Sequence, residues 1–285
     1  MPISADRVRT LHPYDIKILF TLERLMRRYL WVPLDTLRQA MRFSESDLTF
    51  RLGRLMEADL VKSSSVPYPG YQLVFSGFDT LALITLTRKG SVTALGALIG
   101  EGKEALVYEG LGFGTVALKF HRVGQRSFQT ARRNRAYMPE TGHCPWIFAS
   151  SNSARREYEA LVALYPSVQV PAPIDQNRNV VVMSFIAGAT LNRCILEEPG
   201  EVLSRILDNY AAAYRLGFIH GDLSEYNVMA DGEDVVIIDW PQWVEPDHPN
   251  ADEILRRDID NVVQYFRKKY DICYPAEEAY ALVVG

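Results

Sequence analysis

Three residues in the second half of the chain have the types and spacing for one shared task. Asp222 lies in Ile219-His220-Gly221-Asp222-Leu223-Ser224-Glu225-Tyr226-Asn227, five positions before Asn227. Asp239 ends the apolar run Val235-Val236-Ile237-Ile238, twelve positions after Asn227. A carboxylate held in a loop accepts the proton of an attacking hydroxyl. An amide oxygen and a second carboxylate are the hard donors that a small divalent cation prefers. Together they are the parts that phosphoryl transfer needs, a base at the nucleophile and a cation at the phosphates. A random Asp-x4-Asn carries no information, and an acid after a strand is often only a cap. The argument comes from the order in which further pieces accompany them.

Two such pieces precede. In Ile99-Gly100-Glu101-Gly102-Lys103-Glu104-Ala105-Leu106-Val107-Tyr108, Gly100 and Gly102 sit between strand-like stretches, where backbone amides can approach phosphates. A glycine turn in an ordinary hairpin reads the same way. Val116-Ala117-Leu118-Lys119 then ends an apolar strand on a lysine. A buried ammonium without an anion is very costly, so phosphates and a carboxylate are its expected partners. Glu157 and Glu159 compete for that role and point about 200° apart on a helix. Glu157 is favoured, since Leu161 and Leu164 share its side.

The elements that would position these residues form two patterns. Residues 13–30 read as an amphipathic helix with Pro13 in its first turn. Leu34–Met41 is a shorter helix, and Ser44 opens a third with Asp47 as a loose capping box and Leu48, Leu52, Leu55 and Leu60 as its stripe. Two short strands between Val61 and Leu73 flank a turn-rich tip, and Phe78–Arg88 is helical again. Three helices and a hairpin make a winged-helix pattern, whose third helix can enter a nucleic-acid groove. Its exposed face would carry Ser46, Thr49, Arg51 and Arg54, with Arg42 and Lys62 nearby. A helical protein-interaction module is the plainer alternative. From Ser91 onward, strands at 99–108, 116–121, 180–185 and 235–238 mix with helices at 154–164, 202–216 and 251–270, an α+β pattern.

Composition narrows the classes. The chain has 285 residues, of which 48% are hydrophobic and 23% charged, enough for packed cores and about two domains. Residues 1–92 carry +4 and the remainder −8. No apolar run approaches the roughly 18 residues of a membrane span, and charges scattered through the first thirty residues argue against a signal peptide. Cys144, Cys194 and Cys273 fit no metal spacing and point to a reducing, cytoplasmic setting.

The segments GEGKEALVY, ALKFHRVGQRSF, ARREYEAL, VPAPID, VVMSFIAG, FIHGDLSEYN and IDWPQWVEPDHPNA resemble the RIO-type atypical serine/threonine protein kinases. The resemblance is to the second RIO subfamily and runs from about residue 10 to residue 270. It implies a winged-helix domain at 1–90 and a compact bilobal kinase domain at 91–285, with an N-lobe at 91–183 and a C-lobe at 187–285. It also implies ATP with Mg²⁺ or Mn²⁺, autophosphorylation, and a monomer acting in maturation of the small ribosomal subunit.

Residue by residue, the resemblance assigns Lys103 to phosphate and Lys119 to phosphates and Glu157. Met183, Ser184 and Ile186 would line the adenine and offer hinge hydrogen bonds, while Val107, Ala117, Met229 and Ile238 sandwich the base. Asp222 would be the catalytic acid, and Asn227 and Asp239 the metal ligands. Asp239 would also accept phosphate, with ATP hydrolysis driving release. Ala105 departs from the family's usual serine and removes a hydroxyl near the phosphates.

Residues 122–156 match the family's flexible loop and carry +6, from Arg122, Arg126, Arg132, Arg133, Arg135, Arg155 and Arg156 against Glu140. Such density fits an RNA backbone, so the expected partner is the small-subunit precursor and its RNA, through this loop and the winged helix. A solvated loop is the plain alternative. Ser127 and Thr130 are candidate autophosphorylation sites. Three competing readings are a small-molecule kinase of the aminoglycoside or choline type, an ATP-gated RNA-binding assembly factor with little turnover, and a DNA-binding regulator.

Overall fold

A computed structural model describes residues 5–123, 146–231 and 234–285. The chain divides into two compact units. One holds the chain up to Ala154 together with Asp175–Val182; the other holds Arg155–Ile174 and Met183–Gly285.

The first unit opens with helices α1 (Ala5–Thr10), α2 (Pro13–Leu25), α3 (Leu34–Met41) and α4 (Glu45–Glu57), then the antiparallel hairpin β1 (Val61–Ser64) and β2 (Gly70–Leu73). Ser44 caps α4 by accepting the Asp47 N–H at 3.1 Å. Leu48, Leu52 and Leu55 of α4 bury against Ile18, Leu19 and Leu22 of α2 in one core. Helix α5 (Phe75–Lys89) is apolar nearly all round because it serves two cores. Phe78 and Leu81 join the helical one, and Ala82, Leu83 and Leu86 join a second with Tyr108, Leu118 and Phe120 of the sheet.

That sheet contains β3 (Ala94–Glu101), β4 (Ala105–Leu111), β5 (Thr115–His121), β6 (Pro173–Asn177) and β7 (Val180–Ser184), in the order β3-β4-β5-β7-β6. Beside it, Asp79 is buried, pairs with Arg122, and accepts from Asn179 Nδ2 at 2.7 Å. Burial pushes its carboxyl above the ordinary aspartate value, against the pull of Arg122 and Asn179.

The second unit takes most of α6 (Trp146–Leu164), the short strand β8 (Ala189–Thr190), α7 (Pro199–Arg215), the hairpin β9 (Val228–Asp231) and β10 (Asp234–Ile237), and helices α8 (Ala251–Tyr270) and α9 (Ala276–Val284). Strands β8, β9 and β10 form an antiparallel sheet in the order β10-β9-β8. Leu203, Ile206 and Tyr210 of α7 and Leu255, Ile259 and Phe266 of α8 are buried.

Several elements differ from the sequence expectation. Helix α2 stops at Leu25 rather than residue 30, and a turn follows. Helix α6 starts eight residues before the expected Ala154. Its serines at 150 and 153 are buried, and the Ser150 hydroxyl accepts the Val123 N–H at 2.9 Å, so a polar run that reads as loop packs inward. Helices α1 and α9 and strands β6, β8 and β9 have no counterpart in the sequence reading. No helix among the described residues is long and apolar enough to cross a membrane.

Candidate active site

The loop between α7 and β9 carries Asp222 and Asn227, and the turn after β10 carries Asp239. All three belong to the second unit. The loop's shape depends on residues that do no chemistry. Gly221 has φ 81°, and a Cβ there would lie 2.7 Å from the Gln242 carbonyl oxygen. Only glycine meets both demands. Its N–H donates to Asp258 Oδ2 at 2.7 Å, and its carbonyl accepts from Arg257 at 2.5 Å.

Asp258 is fully buried on α8 and also accepts the Tyr210 hydroxyl at 2.9 Å. Burial, aided by that carboxylate, holds the phenol well above its ordinary pKa, so Tyr210 stays a donor. The Tyr210 oxygen in turn accepts the His220 N–H at 3.3 Å. The loop is thus anchored from beneath by two helices.

His220 is buried against Trp240, with ring centroids 4.5 Å apart. Its Nδ1 accepts the Asp222 N–H at 3.2 Å, which makes Nε2 the protonated nitrogen, and Nε2–H donates to the Ile238 carbonyl at 3.0 Å. Ile238 N–H donates to the Asn227 carbonyl at 2.9 Å. One imidazole and one backbone pairing therefore connect the Asp222 loop to the residue preceding Asp239. Asp239 itself has φ 69°, a left-handed backbone that a non-glycine residue adopts at a cost. The surrounding bonds fix that conformation.

Asn227 donates its amide N–H to the Asp222 carbonyl at 2.8 Å. That bond orients the side chain and leaves Oδ1 as the atom it can offer a cation. With the Asp239 carboxylate it makes a pair of hard oxygen donors, a set that suits Mg²⁺ and needs further oxygens from a bound phosphate and water. No cluster of three His, Cys, Asp or Glu residues among the described residues makes a metal cage by itself. Asp222 keeps an exposed surface, yet the chain around its carboxyl desolvates it enough to raise its pKa. The negative charges of Asp239 and Asp258 add to that rise.

A second set of contacts links α6 to the turn after Asp239. Arg156 bonds the Trp243 carbonyl, reaches the Pro241 carbonyl at 3.4 Å, and stacks 4.5 Å over the Trp243 ring. Trp243 Nε1–H returns a bond to the Arg156 carbonyl at 3.1 Å. Phe218, just before the catalytic loop, packs on the same indole at 4.5 Å. Glu157, the next residue on α6, is 1% exposed, while Glu159 faces solvent and pairs with Arg155 at 2.8 Å.

The other candidate residues lie as follows. In the first unit, Gly100 ends near the β3–β4 turn, Gly102 donates to the Ala105 carbonyl at 2.9 Å, and Lys103 is exposed. Val107 pairs across from Lys119, and Ala117 and Lys119 are buried on β5. In the second unit, Met183 is buried, and Ile186, Met229 and Ile238 are half-buried. Ser184 pairs with Ala172. Its N–H already bonds the Ala172 carbonyl and its hydroxyl accepts the Ala172 N–H, each at 2.9 Å.

The basic residues assigned to nucleic acid change more. Arg51 is tied to buried Asp15 at 2.9 Å and stacks on Tyr14, so it braces the winged helix instead of standing free. Arg122 and Arg156 are committed to Asp79 and to Trp243. Arg126, Arg132, Arg133, Arg135, Ser127 and Thr130 lie outside the described residues. Asp258 and Tyr210 had no place in the sequence reading, and Trp243 entered only within the segment IDWPQWVEPDHPNA. Asp258 left one signal, a carboxylate three positions after Leu255 and four before Val262 on the apolar side of α8.

Comparison with known proteins follows this geometry. The RIO domain family matches residues 105–279, and the Rio2 N-terminal family matches residues 8–89. The chain is 41% identical over 256 residues to the RIO-type serine/threonine-protein kinase Rio2 of Methanocaldococcus jannaschii, covering 87% of this chain and 93% of that one. It is 33% identical over 278 residues to the serine/threonine-protein kinase rio2 of Schizosaccharomyces pombe, covering 94% and 80%. The Chaetomium thermophilum Rio2 kinase, solved as an ADP/Mg²⁺–phosphoaspartate complex, superposes with a TM-score of 0.83 at 27% identity, over 99% of this chain and 89% of that one.

Proposed function

The chain belongs to the RIO family and is a protein kinase of the Rio2 type, and from that premise we propose that it uses ATP with Mg²⁺ to phosphorylate itself at Asp239 and to switch on a small ribosomal subunit precursor. The observation that carries this reading is that His220 ties the Asp222 backbone to Ile238, Asn227 bonds the Asp222 carbonyl, and Asp239, next to Ile238, is held left-handed after its strand. Bound Mg²⁺ supplies charge neutralisation at the phosphates. Asn227 Oδ1 and the Asp239 carboxylate are the side-chain oxygens that would hold it.

The chain's own residues do the rest. In phosphorylation of a hydroxyl, the Asp222 carboxylate accepts the proton as the oxygen attacks the γ-phosphorus and the bond to ADP breaks. In aspartyl phosphorylation an Asp239 carboxylate oxygen attacks the γ-phosphorus as the bond to ADP breaks, and no hydroxyl proton has to be removed. Asp222 then activates the water that cleaves the acyl phosphate, returning the carboxylate and inorganic phosphate. Residues 183–186 would contact the adenine, with the Phe185 and Ile186 amides free of hydrogen bonds among the described residues. The phosphoaspartate of the Chaetomium protein supports Asp239 as acceptor.

The expected partner is the RNA-containing precursor of the small subunit, with hydrolysis timing release. The test measures ATP turnover and release from purified precursor for the wild-type chain and Asp239→Asn. Loss of both in the variant supports the switch. Wild-type turnover and release in Asp239→Asn would rule out the phosphoaspartate route.

A further inference from the structure

A shallow depression between α2 and α5 brings three exposed cations of the first unit to one place. It encloses about 370 Å³ and is lined by Pro13, Ile16, Lys17, Phe20, Thr21, Arg24 and Arg88. Lys17, Phe20, Thr21 and Arg24 fall at i, i+3, i+4 and i+7, one face of α2. Lys17 and Arg24 are therefore separated by about 10 Å along the helix, and Arg88 faces the same space from α5.

All three cations are exposed, and none makes an ion pair or side-chain hydrogen bond among the described residues. The neighbouring carboxylates are spent elsewhere. Glu23 holds Arg178 through two bonds, at 2.7 and 2.8 Å, Asp15 holds Arg51, and Asp175 holds Lys89. The lining contains no acid. Pro13, Ile16 and the half-buried Phe20 line it beside the cations, and the Arg178 guanidinium lies 5.2 Å from the Phe20 ring centre.

The helix expected to read nucleic acid has the opposite character. On α4, Arg51 is committed to Asp15, and Arg54 lies 3.9 Å from the same carboxylate. One carboxylate serves both arginines, so it offsets only one of the two charges, and Arg54 stays half exposed.

We infer that single-stranded RNA docks in the α2–α5 depression, with backbone phosphates on Lys17, Arg24 and Arg88 and a base against the Pro13–Phe20 lining. The inference rests on the reading that the partner contains RNA, and it moves the contact away from α4. Unpaired cations beside an aromatic and aliphatic lining suit a single strand, since its bases stack without sequence preference while its phosphates seek charge. Two of the three cations are arginines, whose planar forks fit phosphate oxygens.

The test is fluorescence anisotropy of the full chain with a labelled single-stranded RNA of about twelve nucleotides, within the span such grooves cover. The variants are the triple Lys17→Glu/Arg24→Glu/Arg88→Glu and, on α4, Thr49→Glu/Arg54→Glu. The triple variant is expected to bind roughly 30-fold more weakly and to lose about 2 units of the log–log salt slope, three single-strand phosphate contacts' worth. The α4 variant is expected to stay within about twofold of wild type, and both should keep their thermal unfolding and ATP turnover. Equal loss in the α4 variant, or none in the triple, would overturn the docking site and leave the RNA reading standing. Failure of the wild-type chain to bind RNA would overturn that reading as well. Displacement of the RNA by a polyglutamate peptide at matched charge would make the depression an acidic-peptide site and also overturn the proposal.

Discussion

The loop at 219–244 and the glycine turn at 100–104 are both assigned to the same nucleotide, yet they are built in opposite ways. In the loop, nearly every position is specified from inside the fold. Gly221 is required by a left-handed backbone and a carbonyl 2.7 Å from where its Cβ would stand. Asp222 and Ile238 are joined through His220, and Asp258 supports the loop from α8. In the turn, neither Gly100 nor Gly102 has a positive φ, and a Cβ on Gly102 would make only an ordinary contact of 3.6 Å with the Ala105 oxygen. Lys103 is exposed. The chemistry is preorganised where the loop is held. The turn is a surface that a ligand would define.

That contrast sets a ladder of substitutions. Gly221→Ala should have the largest effect. Left-handed backbone and the Gln242 clash together should cost about 2–4 kcal/mol, and displacement of Asp222 should reduce kcat roughly 100-fold. Thermal unfolding and steady-state ATP turnover read both, and a variant with wild-type values would show that the loop tolerates what its geometry forbids.

Asp258→Asn comes next. It should lower Tm and reduce kcat about tenfold, as expected for a weakened buried hydrogen-bond network. It should also move the pH profile in a definite direction. Asp222 must be ionised to accept a proton, so activity falls as pH drops through its pKa. That pKa stands above the ordinary aspartate value, in part because of Asp258. Removing the Asp258 charge should shift the acid limb of kcat/KM to lower pH. An unmoved limb would separate Asp258 from Asp222.

Gly102→Ala should be the mildest, with Tm unchanged and kcat/KM for ATP within about twofold, since the added methyl makes only an ordinary contact of 3.6 Å with the Ala105 oxygen. A large loss would mean that the turn tightens on nucleotide and that the contrast between the regions disappears on binding.

The same difference explains what could be read from the sequence. His220-Gly221-Asp222, Asn227 and Asp239 were legible because each sits where few residue types can serve, and the strand before Asp239 is a plain apolar run. The winged helix was legible through its stripes at Leu48, Leu52 and Leu55. Partners contributed from distant helices were not. Asp258 lies 36 positions beyond Asp222 and looks like any polar helix residue until α8 is seen to bury it. Arg51 reads as an exposed contact because nothing local reveals that Asp15, 36 positions earlier, is buried beside it. The early start of α6 was hidden for the same reason, since inward-facing serines carry no hydrophobic signal.

The most direct test of the phosphoryl-transfer centre is ATP turnover by Asp222→Asn, measured beside the nucleotide's Kd. The substitution keeps the side chain's shape and removes the proton acceptor. The account predicts a kcat lower by about 10³-fold or more, within what general-base catalysis contributes when lost, with Kd for ATP within about threefold of wild type. Wild-type kcat in Asp222→Asn at unchanged Kd would contradict it.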